Sequence, residues 1–356
     1  MNTGGAETFL MKLYRAIDTN MYQLDFCVAS DHEGYYEKEI IERGGKIFRR
    51  PVKSKNLLAA YKILIKIVRD NHYDYVMRVG EHSFAAFDLL AAKLGGAKHL
   101  IMRSSNAGSS GGKISNLLHK IFGFLPRIVP TVKIAPSRLA AEYTFGKLAV
   151  KNKNVFFLNN AIDVPQFIFN KKIREKYRSE LDIEDKFVIG HVGRFSLQKN
   201  HKFLLEIFAE IKKIKPDSIF ILIGNGELEP LIREKAECLG ILDNLKMLGI
   251  RSEIPELMMA MDVFAFPSFY EGMPNTVIEA QATGLRCVIA DTITPEANIT
   301  GLVKYLPLNA GARYWANIIC EYYQGYPRND MTQAFYQVGY DIRSAAQFFT
   351  SIVFGL

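Results

Sequence analysis

The sequence predicts an α/β protein made of two tandem, doubly wound Rossmann-like domains facing a central cleft. Three observations carry that prediction. Short β-branched and aromatic runs alternate with helix-period segments along the 356 residues. Such alternation gives parallel strands covered by helices on both faces. The pattern is interrupted around residues 160–176, which hold Pro165 and few periodic apolar positions, and then restarts.

In chain order, "QLDFCVAS", "KIFRRP", "YDYVMRVG", "KHLIMRS", "VKIAPS" and "NVFFLNN" read as strands. Between them "YYEKEIIERGG", "NLLAAYKILIKIVRD", "SFAAFDLLAAKLGG" and "LAAEYTFGK" place apolar residues three and four apart, as helices do. The Gly-Gly pairs at 44–45 and 95–96 are helix-stop signals. After the interruption, "FVIGHVG" is a buried strand and "HKFLLEIFAEIKKI" a helix with Phe203, Leu204, Ile207, Phe208 and Ile211 on one face. Strands "SIFILIG", "NLKMLG", "VFAFPS" and "RCVIAD" follow. The domains are therefore set at 1–165 and 166–338, with 339–356 a final helix packing back toward the N-terminal domain.

A hydrophobic fraction of 49% with 23% charged residues suits a globular protein. The four cysteines are dispersed, without a CxxC, which argues against a disulfide framework or structural zinc and fits a reducing cytoplasm. No apolar stretch is long enough for a transmembrane helix, and no signal peptide is recognised. Residues 1–170 carry 24 Lys and Arg against 14 Asp and Glu, a net charge of +10, whereas the remainder carries −2. A half this basic points to an acidic partner: membrane surface, nucleic acid or phosphorylated substrate.

The opening "MNTGGAETFL" reads as a phosphate-binding strand-to-helix turn whose strand is missing, because only three residues precede Gly4. The first strand of a doubly wound sheet is central. The expectation is thus a vacant central position in the N-terminal sheet, or another segment filling it.

Three stretches of the C-terminal half carry chemistry. In "FAFPSFYEGMPNTVIEAQATGLRCVIAD" a strand ends at Pro267, a loop carries Glu271, and Pro274 opens a helix. The N–H groups of Gly272, Met273, Asn275 and Thr276 would form an anion site at the helix start. Glu271 and Glu279 suit sugar hydroxyls, which carboxylates accept in pairs. In "GHVGRFSLQKNHKFL", Arg194 and Lys199 follow a buried strand, where a fork and a point charge suit a diphosphate leaving group. In "ILIGNGELEPLI", Gly224-Asn225-Gly226 turns a strand into a helix whose first turn carries Glu227. Backbone around Ile250 and Arg251 would lie beside it, where a nucleobase fits.

Read together, these stretches resemble retaining glycosyltransferases of the two-Rossmann-domain GT-B class, the family 4 group with the E-x7-E signature. The resemblance spans nearly the whole chain and looks most like bacterial enzymes of exopolysaccharide or capsular polysaccharide synthesis. It implies a nucleotide-diphosphate-sugar donor, expected to be a UDP-sugar, no metal or other cofactor, and transfer with retained configuration. Glu271 would contact the donor sugar, Glu279 the ribose, and Arg194 and Lys199 the diphosphate, with Gly4-Gly5 approaching from the other domain. Asn225 and Ile250 would line the nucleotide.

The N-terminal domain departs from the pattern. Relatives often carry a histidine near the reacting sugar; here His82 is the candidate in one loop, and Ser104, Ser105 and Asn106 stand in the other. Because the departing phosphate can take the acceptor proton, a missing histidine would alter acceptor recognition more than the reaction. Residues 101–150 hold seven basic residues against one acidic, and 113–133 read as a basic amphipathic helix able to lie on an anionic membrane. A polyprenyl-linked acceptor at the inner face of the cell membrane follows from the resemblance. The competing readings are a nucleotide-sugar epimerase and a truncated homologue that binds nucleotide without turnover. A nucleic-acid partner is not expected, since the basic half lacks interleaved aromatics.

Overall fold

The computed structural model describes residues 5–30, 32–80, 83–104 and 121–355. The chain divides into two compact units, Met1–Ile162 with Gly339–Leu356, and Asp163–Val338. Both are α/β with parallel sheets.

In the first unit, β1 (Phe26–Val28) pairs with β2 (Ile47–Arg49), and β3 (Tyr75–Val79), β4 (His99–Arg103), β5 (Val132–Ala135) and β6 (Phe156–Phe157) form a second sheet in chain order. Among the described residues, no strand is hydrogen-bonded between β1 and β3. The two sheets are tied by side chains instead. Tyr73 before β3 donates to the Asp25 carboxylate before β1, and its ring meets Phe48 of β2 edge-on. At the opposite ends of the strands, Arg50 and Lys53 after β2 reach Asp88 in the helix Phe84–Leu94 that follows β3.

Helices cover both faces of the larger sheet. Leu64, Val68, Leu89 and Phe145 pack with Leu100 and Met102 of β4, whereas Phe9, Leu13 and Ile17 pack with Ile101 and Ile134. The alternation of Leu100, Ile101 and Met102 between two clusters is the two-residue period of a strand buried on both sides. The terminal helix Ile342–Phe354 joins the second cluster through Ala345, Ala346, Phe349 and Val353. It starts at Asp341, whose carboxylate caps Ser344 N at 2.9 Å.

The second unit holds one six-stranded parallel sheet, ordered β12-β11-β10-β7-β8-β9. Its strands are β7 (Val188–Val192), β8 (Ile219–Ile223), β9 (Leu245–Met247), β10 (Val263–Phe266), β11 (Arg286–Ala290) and β12 (Val303–Leu306). Every residue of β7, β8 and β10 is buried, as expected when helices sandwich a parallel sheet. Asp262, just before β10, binds Arg174 at 2.5 Å and Arg178 at 3.3 Å and accepts Val188 N at 2.8 Å. One half-buried carboxylate thus helps to fix the register of β10 against β7.

The stretch 160–176, in which the two units divide, holds the short helix Val164–Phe167 and the start of Lys171–Glu180, which Asn170 caps by accepting from Lys172 N and Ile173 N. Several sequence expectations are corrected. Glu227 precedes the helix Glu229–Cys238, because Gly226 and Leu228 are held against Phe195 first. Val132 and Lys133 belong to β5, so an amphipathic helix over 113–133 does not reach its stated end. Residues 113–120 lie outside the described residues. Strand β12 was not anticipated; its Lys304 and Tyr305 disguise an edge strand.

Candidate active site

The sheet order of the second unit reverses between β7 and β10: β8 and β9 extend one way, β11 and β12 the other. The crevice beyond the carboxyl ends of two such strands is where open α/β sheets bind ligands. Both loops that leave β7 and β10 carry residues singled out in the sequence.

Lys199 and Glu271 meet there. Lys199 Nζ lies 2.7 Å from Glu271 Oε1, and the two side chains are only 16% and 10% exposed. The ammonium also sits 4.6 Å from the centre of the Phe266 ring at the end of β10. Several bonds hold the loops in this relation. Phe269 N donates to Gln198 O at 2.9 Å, and Gln198 Nε2 donates to Tyr270 O at 2.9 Å. Asn200 Nδ2 donates to Pro267 O at 3.2 Å. Asn200 takes a left-handed backbone, φ 55°, which turns the chain from Leu197–Lys199 into the helix His201–Ile214. Asparagine tolerates that region far better than most residues.

The third loop is packed on the first by glycines. Gly224 has φ +134°, and a Cβ there would stand 2.2 Å from Gly193 O; a Cβ on Gly226 would stand 2.4 Å from Phe195 O. With no side chains in the way, Phe195 N reaches Asn225 O at 2.8 Å and Gly193 N reaches Ile223 O at 2.9 Å. The GNG turn therefore acts first by close backbone approach, and the Asn225 side chain remains exposed. Gly224 N donates to Gly249 O at 2.8 Å, which sets exposed Ile250 beside the same turn.

Pro274 occupies the cap position before the helix Asn275–Ala282, and Val277 and Ile278 N–H groups close the first turn on Pro274 O at 3.0 and 3.2 Å. Gly272, Met273, Asn275 and Thr276 are half-buried at its amino end, and Glu279 is half-buried one turn further. The helix is anchored by Gln281, which is fully buried. Its Nε2 donates to Val277 O and Ala297 O, and its Oε1 accepts from Ile299 N, Thr300 N and Thr300 Oγ1.

Arg194 is not joined to Lys199 and Glu271 by any bond among the described residues. Its guanidinium is 73% exposed and pairs with exposed Glu227 at 3.3 Å, a contact of little energetic weight. Gly5 begins the helix Gly5–Ala16, whereas Gly4 and His82 lie outside the described residues. Of the stretch 113–133, the described part exposes Ile121, Phe124 and Ile128 around Arg127.

Beneath Lys199 lie two histidines that sequence reasoning did not single out. His191 Nδ1 donates to Ala265 O at 2.9 Å, and its ring meets His201 edge-on at 5.0 Å. Burial drives both toward the neutral form: His191 falls well below its ordinary value and His201 to about 4. The site floor therefore adds no positive charge at neutral pH. Gln198, Asn200 and Gln281 were also missed. Asn200 had a usable signal, an asparagine between a strand-end loop and a periodic helix; Gln281 had none.

The fold and this strand-end site define a two-unit protein that places a basic and an acidic side chain together where Rossmann-like sheets bind nucleotides. Residues 173–301 match the family described as glycosyl transferases group 1. EpsF of Bacillus subtilis (strain 168), named as a glycosyltransferase, is 32% identical over 348 residues, covering 96% of this chain and 91% of EpsF. The chain belongs to this family; it is a group 1 glycosyltransferase. The Escherichia coli UDP-Gal:alpha-D-GlcNAc-diphosphoundecaprenol alpha-1,3-galactosyltransferase is 28% identical over 246 residues, 67% of this chain and 62% of that relative. Anabaena HepE, crystallised with UDP and glucose, superposes with a TM-score of 0.79 at 20% identity, covering 99% of this chain and 96% of HepE. The fold is accordingly GT-B-like.

Proposed function

We propose that this glycosyltransferase moves a sugar from a UDP-sugar to a lipid-linked polysaccharide precursor, with retention of configuration, at the cytoplasmic face of the cell membrane. The pairing of Lys199 with Glu271 at the ends of β7 and β10 carries the reading. Lys199 is assigned to the donor diphosphate, and Arg194 joins it by leaving Glu227, an exchange that costs little at an exposed pair. Glu271 has one oxygen on Lys199 and offers the other to a donor-sugar hydroxyl. Glu279 is assigned to the ribose, Ile250 to the base, and the amino end of the helix at Gly272–Thr276 to phosphate oxygens.

Charge develops on the diphosphate as the glycosidic bond breaks, and preorganised donors stabilise it without reorganisation. The departing phosphate oxygen takes the acceptor proton, so no strong base is assigned, and no metal or organic cofactor is invoked. The relatives support this class of substrates: one is named for UDP-Gal and a diphosphoundecaprenol-linked sugar, and HepE holds UDP and glucose. A retaining family 4 mechanism follows from the resemblance in sequence.

A thermal-shift panel of UDP-, GDP- and ADP-sugars tests the donor assignment, since a ligand of the native state raises the unfolding temperature. UDP-sugars are expected to stabilise wild type and to lose that effect in Lys199→Ala. A larger shift with GDP- or ADP-sugars overturns the uridine assignment. Turnover of the donor alone into a stereoisomeric nucleotide-sugar would make the protein an epimerase.

A further inference from the structure

The first unit concentrates positive charge at one point. Asp88, 4% exposed on the helix Phe84–Leu94, faces three cations: Lys53 Nζ at 2.8 Å, Arg78 Nε at 2.9 Å and Arg50 Nη1 at 3.3 Å. Tying the two sheets together needs one such pair. Among the described residues the cluster carries two more positive charges than Asp88 neutralises. Arg50 Nη1 is buried and hydrogen-bonded to no described residue, despite its nearness to the carboxylate. Burial holds the Lys53 ammonium below its ordinary value even beside Asp88, so the charge sits where water screens it weakly. Lys53 and Arg78 remain reachable, with side chains 24% and 43% exposed. Arg50 directly follows β2, and Arg78 is the penultimate residue of β3. The cluster thus lies at the carboxyl ends of strands, the ligand-facing edge of a parallel sheet.

We propose that Arg50, Lys53 and Arg78, held in place by Asp88, form an anion site for the diphosphate of a lipid-diphosphate-linked acceptor. This rests on the lipid-linked acceptor reading above. Asp88 acts as a positioning residue: it fixes three flexible cations in one geometry, so that binding a dianion costs little ordering. The surplus charge matches what a diphosphate diester brings. Lys53 spans one edge as a point charge, and Arg78 presents the remainder of its guanidinium.

The test uses full-length protein saturated with UDP, so that added inorganic pyrophosphate cannot report on the donor site. Calorimetric titration is expected to show pyrophosphate binding to wild type, weakened about tenfold in Lys53→Gln and in Arg78→Gln, with UDP affinity unchanged. The charge-keeping Lys53→Arg is expected to recover most of it. Unchanged pyrophosphate affinity in Lys53→Gln, Arg78→Gln and the double variant, each with wild-type unfolding temperature, overturns the site. The same variants are then assayed with a short-chain polyprenyl-diphosphate sugar. A raised acceptor KM with unmoved donor KM supports the assignment; weakened pyrophosphate binding with an unmoved acceptor KM overturns it. If wild type binds pyrophosphate yet glycosylates only acceptors without phosphate, the acceptor reading falls separately, and the anion site with that role falls with it.

Discussion

Lys199 and Glu271 are 72 residues apart in sequence and 2.7 Å apart in space, each closing a loop at the point where the strand order reverses. The pair is mostly buried, so each charge depends on the other: removing one partner of a buried pair leaves an uncompensated charge. The same contact that stabilises the unliganded loops orients the two groups assigned to diphosphate and sugar.

Lys199→Ala and Glu271→Gln are each expected to lower kcat/KM by about a hundredfold or more, the scale for losing one preorganised electrostatic contact. Because the residues act as a unit, the double variant should lose less than the product of the two single effects. Steady-state kinetics on all four proteins measure this. Strict additivity would separate the two roles.

The glycines of the third loop make a stability prediction. Gly224→Ala must meet Gly193 O in an unfavourable backbone region, and should cost about 3 kcal/mol in denaturant unfolding and weaken UDP binding. Gly240→Ala, also at positive φ but with nothing within 4 Å, should cost about 1 kcal/mol and leave UDP binding intact. Similar losses at both positions would mean that close approach to Gly193 is unimportant.

The buried histidines predict a pH dependence. His201 binds its proton near pH 4 when folded and near 6.5 when unfolded, so the unfolded state holds more protons between those values. Stability is therefore full above about pH 6.5 and falls as the pH drops toward 4, by on the order of 3 kcal/mol for a shift of this size. His191 shifts in the same direction. The chain's one tryptophan, Trp315, is buried in the second unit and reports its unfolding by fluorescence. The slope between pH 6.5 and 4.5 should flatten in His201→Gln; an unchanged slope would assign it to other groups.

Asn200 combines two tasks that substitutions separate. Asn200→Gly keeps the left-handed turn and loses the bond to Pro267 O, whereas Asn200→Ala loses both. Activity and unfolding temperature should fall further in the alanine variant. Equal effects would show that the backbone conformation contributes nothing separate.

Much of the second unit was legible because its signals are local. β8 is an unbroken apolar run and β7 is interrupted only by His191, and the residues assigned to the donor lie in the loops that follow, so strand-end position could be read along the chain. What pairs with what could not: Lys199 meets Glu271 while Arg194 turns to Glu227, a choice fixed by how two loops fold over each other. Gln281 was invisible because its five bonds run to backbone and side-chain groups contributed by helix, turn and loop. In the first unit the strands were found, but the Asp88 cluster draws its four residues from three separate segments: Arg50 and Lys53 after β2, Arg78 in β3 and Asp88 in a helix. No spacing rule finds such a set. Edge strand β12 escaped because alternation with Lys304 resembles a loop.

Transfer itself is the most direct test. Purified protein is supplied with a UDP-sugar and a polyprenyl-diphosphate-linked acceptor, and the anomeric proton of the newly formed glycoside is read by NMR. A glycoside with the same anomeric configuration as the donor is expected, formed at least about a hundredfold more slowly by Lys199→Ala. An inverted glycoside, or undiminished transfer by Lys199→Ala, would contradict this expectation.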